Sequence, residues 1–295
     1  MKILKSSSYR EHLFYFLTFG LLIAALSSGT SYWLFHTYSD DDVQQRITFQ
    51  TQRAKSAIQF FITNLKNNVE ALVHSEQVQD YALLPSSSNL LALEKLMLNL
   101  MKSNTSIYQL RYLNASGDEV INIKLRYSDR GERNYTLTPF KELQDKSDRY
   151  YFQATKELTD GSYYISNLDL NKENGRLEIP YKPTLRLTSP VLDIRNNFRG
   201  ALVANMDASY VLNIMTVFDG LDAYIVDDDG FIVYSNHSEL NWSKYLGKQN
   251  RSSDVLGLTV NDLKNTYHLN VSQVIGNEEN LLLFFKCFKR SLSKP

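Results

Sequence analysis

Residues 146–153 read KSDRYYFQ, residues 163–170 read YYISNLDL and residues 180–191 read PYKPTLRLTSPV. These segments gather cations, tyrosines and an aspartate, namely Arg149, Tyr150, Tyr151, Tyr163, Tyr164, Asp169, Lys182 and Arg186. Cations and a carboxylate between aromatic walls suit a small polar ligand. Each residue taken alone also fits a sheet whose tyrosines fill the core and whose charged side chains face water. Their combination predicts a ligand pocket.

The residues around these segments have the pattern of antiparallel strands. Residues 107–113 and 119–125 flank a short turn with Asn114 and Gly117, which predicts a hairpin. Residues 199–206 predict a closing strand. This part of the chain is therefore rich in predicted strands.

A second hairpin pattern follows a short predicted helix at residues 208–218. Residues 221–226 and 231–235 flank the turn Asp227-Asp228-Asp229-Gly230, a weak repeat of the first hairpin. A domain boundary is therefore expected at residues 207–221. The acidic turn lacks the full calcium-loop pattern with its final glutamate, so no metal is predicted there.

The chain before the strands is predicted to be helical. Residues 40–84 contain no proline or glycine, and their apolar residues recur near the helical period, which predicts one long helix. Its polar face suits either solvent or a second copy of the helix in a dimer. After a break at residues 85–89, a second helix is expected at 90–102, capped by the serine and asparagine run.

Residues 13–35 carry no charged side chain and are long enough to cross a membrane of about 30 Å. The alternative is a cleaved signal peptide. Aromatic residues at 32–35 favour a membrane helix, because they suit the interface. Basic residues precede the segment and residues 40–42 are aspartates, which predicts a cytoplasmic tail at 1–12 and a single-pass protein whose bulk lies outside.

Composition excludes several classes of function. The chain has 295 residues, with 32 basic and 32 acidic side chains and a formal net charge of zero, so no nucleic-acid partner is expected. Its only cysteine is Cys287, and its five histidines form no metal-binding pattern. Neither a cofactor nor a metal is predicted. No nucleophile, phosphate-loop, kinase or cyclase signature occurs, so the chain is not expected to be an enzyme.

Residues 40–290, with the preceding apolar helix, resemble the double Cache (PAS-like) extracytoplasmic sensor domains of bacterial receptors attached to diguanylate cyclases and histidine kinases. The segments that carry this resemblance are residues 109–113, 117–120, 143–152, 164–171, 180–186 and 199–203. The resemblance implies an α+β fold, with a transmembrane helix and a long stalk helix followed by two PAS-like modules with central antiparallel sheets. The implied divisions are helices at 40–103, a ligand-binding distal module at 104–207, a proximal module at 208–290 and a tail at 291–295.

The resemblance also implies a binding site. In relatives that bind amino acids or carboxylates, an arginine followed by aromatic residues holds the carboxylate, and a later aspartate holds the amino group. Arg149-Tyr150-Tyr151 and Asp169 match this pattern in type and order. Residue 150 is Tyr where amino-acid sensors commonly carry Trp, and the Leu-Asp-Leu-Asn context of Asp169 differs from theirs. The expected ligand is therefore an amino acid or an organic carboxylate. The expected site comprises Arg149, Tyr150, Tyr151, Tyr164, Asp169, Lys182 and Arg186.

The resulting hypothesis is a single-pass sensor of the bacterial inner membrane, with a periplasmic domain that binds a small anionic or zwitterionic ligand for signal transduction. A homodimer or a partner sensor protein is expected, and output is expected to come from such a partner, since residues 1–295 hold no output signature. Two alternatives are an adaptor that uses the fold only for dimerisation and an extracytoplasmic hydrolase.

Overall fold

The computed structural model describes residues 6–173, 175–218, 221–265, 268–270 and 281–287. The chain divides into two compact units, residues 1–50 and 51–295. Helix α1 (Ser6–Val73) begins in the first unit and ends in the second. In the first unit, Glu11–Leu34 is long and apolar enough to cross a membrane by length and composition. This segment coincides closely with the predicted span at residues 13–35.

Two further helices follow in the second unit. They are α2 (Glu76–Leu83) and α3 (Ser87–Ser103). The prediction of one helix as far as residue 84 was therefore wrong. Ser75 separates α1 from α2, because its hydroxyl donates to the Leu72 carbonyl and accepts from the Val78 amide, as an N-cap residue does. Ser86 caps α3 in the same way, and α3 begins three residues earlier than predicted.

The first sheet is antiparallel and has seven strands. Its path runs β3-β2-β1-β9-β8-β4, and β5 also pairs with β8. Helix α4 (Tyr150–Lys156) lies between β3 and β4 in the chain, and β6 and β7 form a small separate hairpin. The strands are β1 (Ile107–Asn114), β2 (Glu119–Tyr127), β3 (Arg133–Leu137), β4 (Tyr164–Ile165), β5 (Asp169–Leu170), β6 (Lys172–Glu173), β7 (Arg176–Leu177), β8 (Pro183–Leu192) and β9 (Phe198–Asp207).

The second sheet repeats the strand order of the first. Strands β2-β1-β9-β8 correspond to β12-β11-β14-β13, so in each sheet the first strand of a hairpin also pairs with a later strand. The predicted helix at 208–218 ends at Thr216 and continues as a short strand. The elements are α5 (Ser209–Thr216), β10 (Val217–Phe218), β11 (Leu221–Asp227), β12 (Ile232–Ser235), α6 (Ser252–Leu256), α7 (Val260–Lys264), β13 (His268–Asn270) and β14 (Leu281–Cys287). The predicted α+β class, with antiparallel sheets after a long helix, is confirmed.

The two faces of the first sheet differ in polarity, because side chains alternate along each strand. On β1, Leu110 and Tyr112 belong to an apolar face, and Tyr112 makes an edge contact with Tyr81 of α2 at 5.4 Å. Gln109 and Arg111 belong to the opposite face, which also carries Asn122, Arg186 and Asn205 through the strand register. All five of these polar residues are buried. Helix α4 packs beside them, and a cavity lies at this face.

Candidate functional site

The cavity at the polar face encloses about 350 Å³ of space, part of it open to solvent. Strands β1 and β8 contribute its inner side, and α4 with the segments before and after it contributes the rest. The lining residues are Arg111, Gln144, Lys146, Arg149, Tyr151, Asn171, Lys172, Gly175 and Arg186. Five of the nine are lysine or arginine, and none of the described lining residues is acidic. The cavity is therefore suited to an anion.

Arg186 is fixed at the cavity by Asp169. The Nη1 atom of Arg186 donates to both carboxylate oxygens of Asp169, at 2.8 and 2.9 Å, and Nη2 lies 3.4 Å from the Asn171 Oδ1 acceptor. Arg186 is 3% exposed. Burial opposes its charge, but the facing Asp169 carboxylate raises the pKa of Arg186. Burial also raises the pKa of Asp169, an effect that Arg186 partly offsets.

Arg111 lies at the inner end of the cavity on β1. Its Nε is 3.2 Å from Oε1 of Glu119, and the two side chains are 5% and 1% exposed. Its Nη2 donates to Gln109 Oε1. Its Nη1 is buried and has no hydrogen-bond partner within the described structure. Arg111 therefore offers a desolvated donor at a wall of the cavity.

Neutral polar side chains join the cations of the inner wall. The Oε1 of Gln109, which accepts from Arg111, also accepts from Asn205 Nδ2 at 2.9 Å. Gln109 Nε2 donates to Asn122 Oδ1 at 3.0 Å, and Asn122 Nδ2 donates to Glu119 at 3.1 Å. Such a connected network holds its members in one arrangement. The guanidinium of Arg111 is consequently positioned before any ligand binds.

Tyr151 forms the aromatic wall of the cavity. It is 2% exposed, and the guanidinium carbons of Arg149 and Arg186 lie 5.8 and 5.7 Å from its ring centroid. Both distances fall within the range of cation–π attraction. The ring packs with Leu113, Ala201 and Val203 against the sheet. Tyr151 thereby excludes water beside the two arginines.

The hairpin β1–β2 holds the segment that carries Gln144, Lys146 and Arg149. The Glu119 amide donates to the Gln144 carbonyl at 3.0 Å, and the Lys146 amide donates to the Gly117 carbonyl at 2.9 Å. Gly117 has φ of 100°, and a Cβ built there would lie 2.6 Å from the Cα of Ser147. Only glycine fits this turn, because the backbone conformation and the close approach both exclude a side chain.

The structure brings three of the predicted site residues to the cavity, namely Arg149, Tyr151 and Arg186. Asp169 is not a lining residue, but it contacts Arg186. Tyr150 is 42% exposed and makes edge contacts with Tyr151 and Tyr164. Lys182 pairs with Glu178 at 3.1 Å and lies 4.4 Å from the Tyr108 ring centroid. Tyr150, Tyr164 and Lys182 are not among the lining residues.

Sequence reasoning did not select Arg111, Gln144, Lys146, Asn171 or Lys172 for the site. A signal for Arg111 was present. Gln109 and Arg111 stand two apart between Tyr108, Leu110 and Tyr112, so the strand alternation places both polar side chains on one face. In a strand with buried neighbours, such a polar pair indicates a buried network or a site.

The acidic turn at residues 227–230 is bridged by lysine. Lys244 Nζ lies 2.7 Å from Asp229 Oδ2 and 3.9 Å from Asp227 Oδ2. Among the described residues, no group of three or more histidine, cysteine or acidic side chains could hold a metal ion. The turn therefore gives no support to a calcium site.

The chain is similar to a known protein family and to several solved structures. The family model described as "bacterial histidine kinase, sensor domain" matches residues 40–285. A domain of a sensory box/GGDEF family protein from Vibrio parahaemolyticus is similar at 21% identity and a TM-score of 0.63, covering 84% of this chain and 99% of that one. No curated protein matches.

Two ligand-bound receptor domains are also similar in fold. The Campylobacter jejuni chemoreceptor Tlp3 domain in complex with L-valine has 13% identity and a TM-score of 0.57, covering 85% of this chain and 95% of that one. The Pseudomonas fluorescens chemoreceptor CtaA domain in complex with L-serine has 10% identity and a TM-score of 0.52, covering 85% and 99%. At these identities the likeness concerns the fold.

Proposed function

Because this chain belongs to the family of bacterial histidine kinase sensor domains, we propose that its cationic cavity binds the small-molecule ligand of a membrane receptor. The resemblance to Cache-type sensor domains is confirmed by the family and by the similar structures. The proposed ligand is an amino acid or an organic carboxylate. It contacts Arg149, Tyr151 and Arg186, with Arg111 at the inner wall.

The observation that carries this proposal is the composition of the cavity, with five cations beside a buried aromatic ring. A guanidinium binds a carboxylate through charge-assisted hydrogen bonds, which are stronger than neutral ones. Tyr151 keeps water from one side of Arg149 and Arg186, which strengthens their attraction for an anion. The ligands of the similar chemoreceptor domains, L-valine and L-serine, each carry such a carboxylate.

The other predicted site residues have supporting parts in this proposal. Asp169 orients Arg186, Tyr150 makes an edge contact with Tyr151, and Tyr164 packs against the apolar cluster that includes Tyr151. Lys182 adds positive charge beside Tyr108. The adaptor alternative would be favoured by apolar side chains that fill the space around Arg149 and Arg186. The lining is instead polar apart from the ring of Tyr151, which favours ligand binding.

We further propose that Glu11–Leu34 anchors the chain in the bacterial inner membrane. The bulk of the chain is then periplasmic and receives its ligand there. A homodimer or a partner sensor protein completes the proposed receptor. The long helix has a face rich in Gln, Lys and Asn, which suits either solvent or a second copy of the helix.

A thermal-shift screen of the full chain in detergent tests the ligand proposal. Amino acids, organic acids and polyamines are compared, since a ligand that binds only the folded state raises the melting temperature. Arg149→Ala is expected to weaken binding of a hit by about 1.5 to 3 kcal/mol, the usual worth of a charge-assisted hydrogen bond. Arg130→Ala, in the exposed turn between β2 and β3, is the matched control. A hit that binds the Arg149 variant as it binds the parent would place the site elsewhere.

A further inference from the structure

The charges around the cavity are only partly balanced. The charge of Arg186 is matched by Asp169 and that of Arg111 by Glu119. Arg149 and Lys172 form no ion pair within 4 Å among the described side chains, but the charges of both act on the Asp169 carboxylate that Arg186 already binds. Lys146 donates to the neutral Gln144 Oε1 at 2.6 Å. Arg149, Lys172 and Arg186 thus share a single described carboxylate, which leaves a positive excess at the described lining.

The Nη1 of Arg111 is a separate point of attraction. Its side chain is 5% exposed and lines the cavity, but this nitrogen has no hydrogen-bond partner within the described structure. An unpartnered buried donor costs free energy, and more so when it is charged. Glu119 lies within ion-pair distance of Nε, which itself makes no hydrogen bond, and Gln109 accepts from Nη2, so neither residue engages Nη1. An anionic oxygen from the cavity would satisfy it.

The two points lie at different depths. Arg111 is on the central strand β1 and is buried, whereas Lys172 is exposed and Arg149 is partly exposed at the start of α4. The cavity thus has a cationic inner wall and a cationic mouth. A single carboxylate at either point leaves the other without an anion.

We propose that the ligand of this cavity is a small dianion, such as a short dicarboxylate. One anionic group accepts from Arg111 Nη1 at the inner wall, and the second contacts Arg149 and Lys172 at the mouth. This inference rests on the proposed function and narrows its ligand class. A ligand ammonium group would meet the cations of the lining, while both oxygens of Asp169 already accept hydrogen bonds from Arg186. Dianions are therefore favoured over neutral amino acids.

The test uses the full chain in detergent and isothermal titration calorimetry. The probes are malonate, succinate, glutarate and adipate, each paired with its monomethyl ester, together with L-valine and inorganic phosphate. The best diacid is expected to bind about 10 to 100 times more tightly than its monoester, which corresponds to the loss of one charge-assisted hydrogen-bonding group. The ester keeps the carbon skeleton, so the comparison isolates the second charge.

Two substitutions locate the second charge. Lys172→Gln, on an exposed side chain, is expected to weaken diacid binding about tenfold more than it weakens monoester binding. Lys141→Gln, also exposed, is the matched control. Arg111→Lys keeps the buried charge but removes the free guanidinium nitrogen, and should also reduce the advantage. Circular dichroism verifies that each variant is folded. If Arg111→Lys does not fold, Lys172→Gln alone tests the inference.

Each outcome bears on the inference. Monoesters or L-valine that bind as tightly as the diacids, in a way that Arg149→Ala weakens, would overturn the dianion and leave the proposed function standing. Binding of phosphate without any diacid would overturn the two-point arrangement. A diacid advantage unchanged in Lys172→Gln would do so as well. If no diacid, monoester or amino acid binds, both the inference and the proposed function fail.

Discussion

Arg186 and Asp169 form a buried ion pair in which one guanidinium nitrogen contacts both carboxylate oxygens, at 2.8 and 2.9 Å. The pair links two strands, because Asp169 begins β5 and Arg186 lies in β8. It holds Arg186 at the cavity and occupies the carboxylate that was predicted to hold a ligand amino group. Asp169 therefore acts on the ligand through Arg186 in our interpretation.

Asp169→Asn is predicted to destabilise the fold. The substitution leaves the buried guanidinium of Arg186 without its counter-charge, which costs about 3 kcal/mol when a buried pair is broken. Urea denaturation of the full chain measures this loss. Asp148→Asn, an exposed carboxylate beside the site, is the matched control and should change stability little. Unchanged stability in Asp169→Asn, together with selective loss of binding for amine-bearing ligands, would instead make Asp169 a direct ligand contact.

Gly117→Ala is predicted to impair both stability and ligand binding. A residue other than glycine at a positive φ costs about 1 to 2 kcal/mol, and the overlap with Ser147 adds about 1 to 3 kcal/mol. The displaced segment carries Gln144, Lys146 and Arg149, so affinity should fall as well.

Gly131→Ala is the matched control for Gly117→Ala. Its φ is 77°, but a Cβ there meets no atom within 4 Å. Gly131→Ala should therefore lose only the stability that a side chain at positive φ costs, and its affinity for the ligand should be unchanged. Equal stability losses in the two variants, with equal affinity, would contradict the proposed docking of the segment on the hairpin.

Asp193 is predicted to make stability depend on pH at the acid side. Its carboxylate accepts hydrogen bonds from the side chain and backbone of Asn197, from Arg199 and from the Arg195 amide, and these lower its pKa. A carboxyl group whose pKa is lower in the folded than in the unfolded chain stabilises the fold at pH values above its unfolded pKa of about 4. This stabilisation is lost as the pH falls towards and through the pKa of the folded state. The stability difference between the parent and Asp193→Asn should therefore be constant above about pH 5 and shrink below about pH 4.

Denaturation curves measured between about pH 2.5 and 7 check this prediction, because this range spans the ordinary aspartate pKa of about 4. Asp129→Asn, in the exposed turn between β2 and β3, should give the curve of the parent. A difference between the parent and Asp193→Asn that stays constant at every pH would show that the hydrogen bonds of Asp193 do not depend on its charge.

The sequence predicted those parts of the fold whose signals are local. Alternation and turn residues located β1, β2 and β9, and the capping serine located α3, because side-chain period and capping chemistry act within a few residues. The break at Ser75 was missed because serine is tolerated inside a helix as well as at its start. Residues 281–287 showed only a short apolar run. Their place between β11 and β13 depends on pairing with distant residues.

The site was predictable where its residues are close in sequence. Arg149 and Tyr151 stand together, and Arg186 follows within the same region. Arg111 reaches the cavity only because β1 lies beside β9 and β9 beside β8, a relationship set by the sheet order. Lys182 was predicted for the site because it is close to Arg186 in sequence, but its side chain contacts Glu178 and the Tyr108 ring instead. Strand order thus decided which cations line the cavity.

The last prediction concerns the orientation of α1 in the membrane. Lys2, Lys5 and Arg10 precede the apolar segment, whereas the first cation after it is Arg46. Because cationic flanks are retained in the cytoplasm, alkaline phosphatase fused after Pro295 should be active. Replacing the three preceding cations with glutamine should reduce that activity. N-terminal sequencing of the purified chain tests the signal-peptide alternative, since a cleaved product would begin near Gly29. If alkaline phosphatase fused after Pro295 is inactive, while a reporter that works only in the cytoplasm is active there, the proposed orientation is refuted.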